Sequence, residues 1–384
     1  MTGAEGQRLE NCRLFDGQRV LDSVSLMLQD GFVRGIEANK NPKSSVDAVN
    51  LNGNLLVPGF IDIQVNGGGG LLFNDAPDTE TLAVMARAHR QYGTTAFLPT
   101  LISDSADVIA SAINAVARAR EQGMAEILGI HIEGPHLNPQ FCGVHDAVRI
   151  RPLDDDSFHL LTSMQDGITL VTLAPETVSP ERIRRFSEKG IIVFAGHSGA
   201  SYEETKAGLE AGIQGFTHLF NAMTPLTSRA PGMVGAALED TQSYAGIIAD
   251  GYHVHPSVLR LALRARGTDH MVLVTDAMPT VGSKDKHFYL YGELITSREG
   301  RCLTADGRLA GSDMGMIQAV KNIVEFGCAD LFEAIRMASL YPARALGVEH
   351  LYGTISTGRR ADLLELDGDL NIVRSWVAGQ MLEH

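Results

Sequence analysis

ILGIHIEGPH (Ile127–His136) begins as an apolar run and ends on Glu133, Gly134 and Pro135. Such a run reads as a parallel strand buried on both faces, and Gly-Pro stops the ladder just past the carboxylate. A carboxylate at the exit of a buried strand is costly to desolvate unless a cation meets it. Two later apolar runs end in histidine: IIVFAGHS carries His197 and GFTHLFNAM carries His218. Three ligand types of this kind, each at or near the carboxyl end of a strand, point to one shared divalent ion.

Working outward, strands and helices alternate. GFIDIQVN precedes TLAVMARAHRQYG, and TTAFLPTL precedes an Ala-rich helical segment ending at Gly123. After Ile127–His136 come ITLVTLAPE with PERIRRFSEKG, and IIVFAGHS with YEETKAGLEAG. GFTHLFNAM follows, then YAGIIADGYHV with PSVLRLALRARG, and HMVLVTDAM with a helix expected from Asp313 to Phe326. Eight strand–helix units fit a (β/α)₈ (TIM) barrel, an α/β fold whose chemistry sits at the carboxyl ends of its strands. A doubly wound sheet is the alternative, but Gly67–Gly70 is followed by no helix start at the spacing of a dinucleotide fingerprint.

The two ends of the chain have another character. CRLFDGQRVLDSVSLMLQDGFVRGIEA reads as hairpins turning at Asp16-Gly17 and Asp30-Gly31, and ADLLELDGDLNIVRSWVAGQM turns at Asp367-Gly368. Residues 1–57 and 346–384 are therefore assigned to one small β-sandwich built from both termini, and residues 58–345 to the barrel. A chain of 384 residues is long enough for both.

The formal net charge of −14 argues against a nucleic-acid or anionic-membrane surface, so an anionic substrate needs a few local donors. Four cysteines without a CxxC pair fit reduced thiols, and neither a signal peptide nor a bilayer-length apolar run is present. A soluble cytoplasmic protein is expected.

In a barrel, Glu133, His197 and His218 from strands three, five and six converge on one mouth. There they make the ligand set of a catalytic zinc or related ion with an open position for water. Asp276 in VTDAM, ending strand eight, is then placed beside that water as its base. Zinc is the first expectation, and Fe(II), Co or Mn suit the same ligands.

PGFIDIQVNGGGG, IHIEGPHLNP, AGHSGAS, THLFNAM, IIADGYHV, VTDAM and LAGSDM together resemble the amidohydrolase superfamily and, within it, the N-acetylglucosamine-6-phosphate deacetylases. The resemblance runs from PGFID to GRRADLLELD. It implies hydrolysis of N-acetyl-D-glucosamine 6-phosphate to glucosamine 6-phosphate and acetate, with N-acetylgalactosamine 6-phosphate as the alternative. Many superfamily members carry His-x-His after strand one and a carbamylated lysine on strand four. Here Gln64 and Asn66 occupy the first positions, and no lysine lies between Lys43 and Lys189. Both departures favour a single metal. The resemblance implies that Gln64 meets it through a water, although a purely structural amide is equally consistent.

The resemblance also implies that His145 polarises the amide carbonyl, and that Asn221, Ala222, His253 and Arg229 contact the phosphate. Arg229 would reach in from the neighbouring subunit of a homodimer. The loop around His145 lacks the tryptophan and lysine often found there, since the only tryptophan is Trp376. Cys142 is expected to be incidental, and His136 and His255 to be supporting or surface residues. A different amidohydrolase reaction, or a barrel that has lost catalysis and serves as a binding protein, are the rivals; retention of all three ligands and Asp276 counts against the second.

Overall fold

The structure is a computed structural model that describes residues 6–38 and 48–384. Its central feature is an eight-stranded parallel sheet with its strands in sequence order. These are Phe60–Val65, Thr94–Ile102, Gly129–Glu133, Ile168–Leu173, Ile192–Ala195, Gly215–Phe216, Tyr244–Ile247 and Met271–Leu273, called strands one to eight below. Every residue of strands one, two and three is buried, which is why their sequences are rich in apolar residues, and polar ones among them such as Asp62, Gln64, His131 and Glu133 are buried as well. Strand eight meets strand one just beyond its end: Asp276 N–H donates to Gln64 O at 3.0 Å, and Asn66 N–H donates to Ala277 O at 2.9 Å. That closure brings residue 276 beside residues 64 and 66.

The helices between strands start at residues chosen by local chemistry. Asp78, Ser105, Ser179 and Ser201 each accept a first-turn N–H from the helices Thr79–Arg90, Ala106–Glu121, Pro180–Glu188 and Tyr202–Ala211. Ser201 and Glu204 complete a reciprocal capping box. The last barrel helix is Met316–Glu325, inside the expected 313–326. Four helices among the described residues are absent from the sequence expectation: Asp155–Leu161 and Gly232–Glu239 fill the connections after strands three and six, and Leu331–Ala338 and Leu340–Ala345 follow the helix Met316–Glu325.

Both ends of the chain feed one sheet. Gln7–Phe15 pairs with Val20–Gln29 and with Leu55–Pro58, and Leu55–Pro58 pairs with Leu363–Leu366. Asp30 and Gly31 have φ of 53° and 81°, as a two-residue hairpin turn requires, and join Gln29 to Phe32. The sheet curls round its own core of Leu9, Leu14, Leu26, Val33, Leu363 and Trp376. Its far edge returns to the chain, with Val33 N–H donating to Arg359 O at 2.9 Å. The expected sandwich is thus a single continuous sheet folded over on itself.

A whole sheet was also not expected. Between strand eight and the helix Met316–Glu325, residues 287–312 form a four-stranded antiparallel sheet. Phe288, Leu290, Ile295 and Cys302 pack with Leu72, Ile102 and Met278, setting this insert beside the barrel mouth. No helix among the described residues is long and apolar enough to cross a membrane.

Candidate metal centre and active site

Glu133 is the last residue of strand three and is buried. Its Oε1 lies 3.1 Å from His197 Nε2 and 3.0 Å from His218 Nε2, and the two Nε2 atoms are 2.9 Å apart. The three side chains are the group among the described residues whose donor atoms are gathered for a metal, all within 4.8 Å of one another. The chemistry of the donors fits an ion. His197 Nδ1 lies 2.9 Å from Phe141 O; a carbonyl only accepts, so Nδ1 carries the proton and Nε2 turns a lone pair toward Glu133. A lone pair facing a carboxylate across 3.1 Å is repulsive until a cation sits between them. Burial opposes ionisation of Glu133, yet the imidazoles of His197 and His218 outweigh it and hold its carboxyl well below the usual range. Burial likewise opposes a charge on His218, and Glu133 more than offsets it, leaving that pKa raised.

Asp276 stands next to this trio. Asn66 Nδ2 donates to its Oδ1 at 2.6 Å and Gln64 Nε2 at 3.3 Å. Gln64 Nε2 also reaches both oxygens of Glu133, at 3.3 and 3.2 Å. Gln64 therefore ties the two carboxylates together through one amide, a geometry compatible with either expectation for it. Burial, and then the charge of Glu133, raise the Asp276 pKa to about 6, which a bound cation draws down again.

His145 comes from the loop after strand three, and its ring centroid is 4.4 Å from that of His197. Ser103 N–H points at its Nδ1 (3.2 Å) and Ser103 Oγ lies 2.8 Å from the same atom. An amide N–H only donates, so Nδ1 accepts and the neutral ring carries its proton on Nε2. Burial lowers its pKa to about 3, so the ring is uncharged near neutral pH.

Glu133, His145, His197, His218 and Asp276 line one cavity of ≈ 160 Å³ together with Asn66, Asn221, Ala222 and His253, and Gln64 lies behind that lining, against Glu133 and Asp276. His253 Nδ1 is 2.6 Å from Asp250 Oδ2, which leaves its Nε2 free. Arg229 lies apart from the site: it is exposed, does not line the cavity, and makes no ion pair among the described residues. His136 is buried with Nδ1 at 2.9 Å from Arg151 O, and His255 caps the helix Pro256–Arg266. Cys142 is half-buried and free. No pattern in the sequence marks the apolar wall formed by Ile102, Val144, Met278 and Leu309. Leu309 and Gly311 belong to the inserted sheet, and neither has a local signature.

His197, His218, Asp276 and Ala222 have positive φ values of 49°, 33°, 50° and 48°. Each left-handed non-glycine residue costs roughly 1 kcal/mol or more, and such strain persists where surrounding contacts over-determine it. Its concentration here marks the strand ends as built for side-chain placement.

A parallel barrel that gathers two imidazoles and two carboxylates at its carboxyl mouth is the architecture of a metal-assisted hydrolase. The profile of the Amidohydrolase family matches residues 55–382, and the chain belongs to that family. It is 42% identical over 376 residues to N-acetylgalactosamine-6-phosphate deacetylase of Shewanella sp. (strain ANA-3), covering 96% of this chain and 95% of the relative. It is 35% identical over 379 residues to N-acetylglucosamine-6-phosphate deacetylase of Haemophilus influenzae, covering 98% and 99%. The crystal structure of N-acetylglucosamine-6-phosphate deacetylase from Pasteurella multocida superposes with a TM-score of 0.95 at 35% identity, covering 99% of this chain and all of that one.

Proposed function

We propose that this chain hydrolyses the acetamide of N-acetyl-D-glucosamine 6-phosphate, releasing acetate and D-glucosamine 6-phosphate. The observation that carries the reading is the convergence of Glu133, His197 and His218 with Asp276 in one cavity. Glu133, His197 and His218 would hold a single divalent ion, zinc in the first instance. When bound, such an ion supplies Lewis acidity and lowers the pKa of water.

The chain's own residues account for the proton traffic. Asp276, fixed by Asn66 and Gln64, takes a proton from the attacking water as oxygen adds to the acetyl carbon. His145 donates from Nε2–H to the carbonyl oxygen as it gains negative charge. The C–N bond then breaks, and Asp276 returns its proton to the departing amine. Ile102, Val144, Met278 and Leu309 give the acetyl methyl an apolar wall. Asn221, Ala222 and His253 face the sugar phosphate, with His253 oriented by Asp250. The exposure of Arg229 supports its delivery to a neighbouring subunit's phosphate in a homodimer. Four unpaired cysteines support a reducing, cytoplasmic setting.

A second reading, the galactosamine epimer, is favoured by the 42% identity to an N-acetylgalactosamine-6-phosphate deacetylase. Acetate release from both phosphorylated sugars, compared as kcat/KM, decides between them. Turnover of the glucosamine form at the higher kcat/KM supports the first reading, preference for the galactosamine form replaces it with the second, and no acetate from either refutes both.

A further inference from the structure

Glu176, which follows strand four, takes no part in the chemistry above, yet it accepts three hydrogen bonds from the segments that flank His197. Its Oε2 receives the Ser198 hydroxyl at 2.6 Å. Its Oε1 receives the Gly199 N–H at 2.5 Å and Asn138 Nδ2 at 2.9 Å. Ser198 and Gly199 are the two residues directly after His197.

Asn138 works from the other side. Its Oδ1 accepts Gln140 N–H at 2.9 Å and so caps the short turn Pro139–Phe141. The carbonyl at the end of that turn, Phe141 O, accepts the proton of His197 Nδ1 at 2.9 Å. Asn138 N–H also donates to His197 O at 2.9 Å. The contacts close a ring: Glu176 to Asn138, through the turn to the imidazole, along the backbone to Ser198 and Gly199, and back to Glu176. A Cβ on Gly199 would lie 2.8 Å from the Phe141 ring and 2.9 Å from Asn138 Nδ2, so the two segments are already in close contact.

The ring has two consequences for His197. It holds a residue with φ of 49° in a conformation that the backbone resists. It also fixes the carbonyl that decides which imidazole nitrogen keeps its proton, and hence that Nε2 faces Glu133. We propose that Glu176 is a positioning residue for the metal centre, setting the rotamer and tautomer of His197 by clamping the loops after strands three and five. The proposal rests on the reading of Glu133, His197 and His218 as an ion site. Residues that orient a ligand in this way are worth roughly 10–100-fold in metal affinity.

The test is a competition titration of Zn²⁺ against a chromophoric chelator, run on the full-length chain and on Glu176→Ala, Glu176→Gln and Ser198→Ala. Glu176→Ala is expected to weaken Zn²⁺ binding by roughly 10–100-fold. Glu176→Gln, which keeps Oε1 for Asn138 and Gly199, restores most of the affinity, and Ser198→Ala, which removes one bond of three, falls between. The visible bands of the Co²⁺ form should change in Glu176→Ala and return in Glu176→Gln, a response that general loosening of the fold would not produce. Parent-like affinity and Co²⁺ bands in Glu176→Ala overturn the clamp while leaving the ion site standing. Failure of the parent chain to bind one Zn²⁺ overturns the ion-site reading and the clamp with it. Should Glu176→Ala not fold, Ser198→Ala decides: weakened binding supports the clamp, and unchanged binding overturns it.

Discussion

Asp276→Asn separates the chemistry of the cavity from its architecture. The replacement is isosteric, and an asparagine Oδ1 still accepts from Asn66 and Gln64 as Asp276 does at 2.6 and 3.3 Å. Glu133, His197 and His218 are untouched, so the ion site stays whole. What disappears is the ability to take a proton from water and return it to the amine. Each assisted transfer is worth about 10²–10⁴ in rate, and one carboxyl performs both in sequence. A fall in kcat of at least about 10³ is expected, or about 4 kcal/mol in the barrier at 1.36 kcal/mol per decade.

The same substitution should stabilise the ion-free chain. Burial and the neighbouring Glu133 raise the Asp276 pKa from 3.8 to about 6, so near neutral pH its ionised form costs the fold about 3 kcal/mol. Acetate release at saturating N-acetylglucosamine 6-phosphate, metal content by elemental analysis and the apparent Tm of the stripped protein test the three parts. Residual kcat within about tenfold of the parent, with metal content unchanged, would refute the assignment of Asp276 as base and acid.

Other outcomes follow from the same geometry. Arg229→Ala should raise KM for the phosphorylated sugar and leave the fold intact. Subunits of Arg229→Ala mixed with subunits of Asp276→Asn should regain activity, because only a site that receives Arg229 from its neighbour is complete in the hybrid; no recovery would mean that Arg229 acts within its own chain or not at all. His89 is buried against the glycine turn with Nε2 at 2.8 Å from Gly67 O, and burial lowers its pKa from 6.5 to about 4. Between those values the unfolded chain binds a proton that the folded chain refuses, so stability present above pH 6.5 is lost as pH falls toward 4, by about 3 kcal/mol from this residue. Urea midpoints across that window should fall less steeply in His89→Gln; parallel curves would contradict this. Gly311 sits at φ of 71° where a Cβ would lie 2.7 Å from Asp276 O, so Gly311→Ala should lower both Tm and kcat, and an unchanged kcat would argue against tight coupling of the inserted sheet to the site.

The barrel was legible in the sequence because strands buried on both faces are predominantly apolar, and a metal-ligating residue at the carboxyl end of one stands out. Glu133, His197, His218 and Asp276 were visible for that reason, and the barrel supplied the convergence that spacing alone does not. The inserted sheet was hidden because HFYL and ELITSR alternate over only a few residues within a polar stretch, and its buried side chains meet partners such as Leu72 and Ile102 far away in sequence. Met278, Leu309 and Ile102 acquire a shared purpose only once three segments meet. Gln64 shows the same limit at atomic scale: one amide donates toward two carboxylates, Glu133 and Asp276, that stand 69 and 212 residues further along the chain. Glu176 carries no signature in the sequence, since its three donors belong to two other loops.

The most direct test is a count of ions. The purified chain, stripped with chelator and then equilibrated with Zn²⁺, should hold one ion per subunit and recover acetate release in step with loading, whereas a His197→Ala, His218→Ala double variant should hold none. Full acetate release by the stripped protein, or an unchanged ion count in the double variant, would contradict the shared-ion centre on which the account stands.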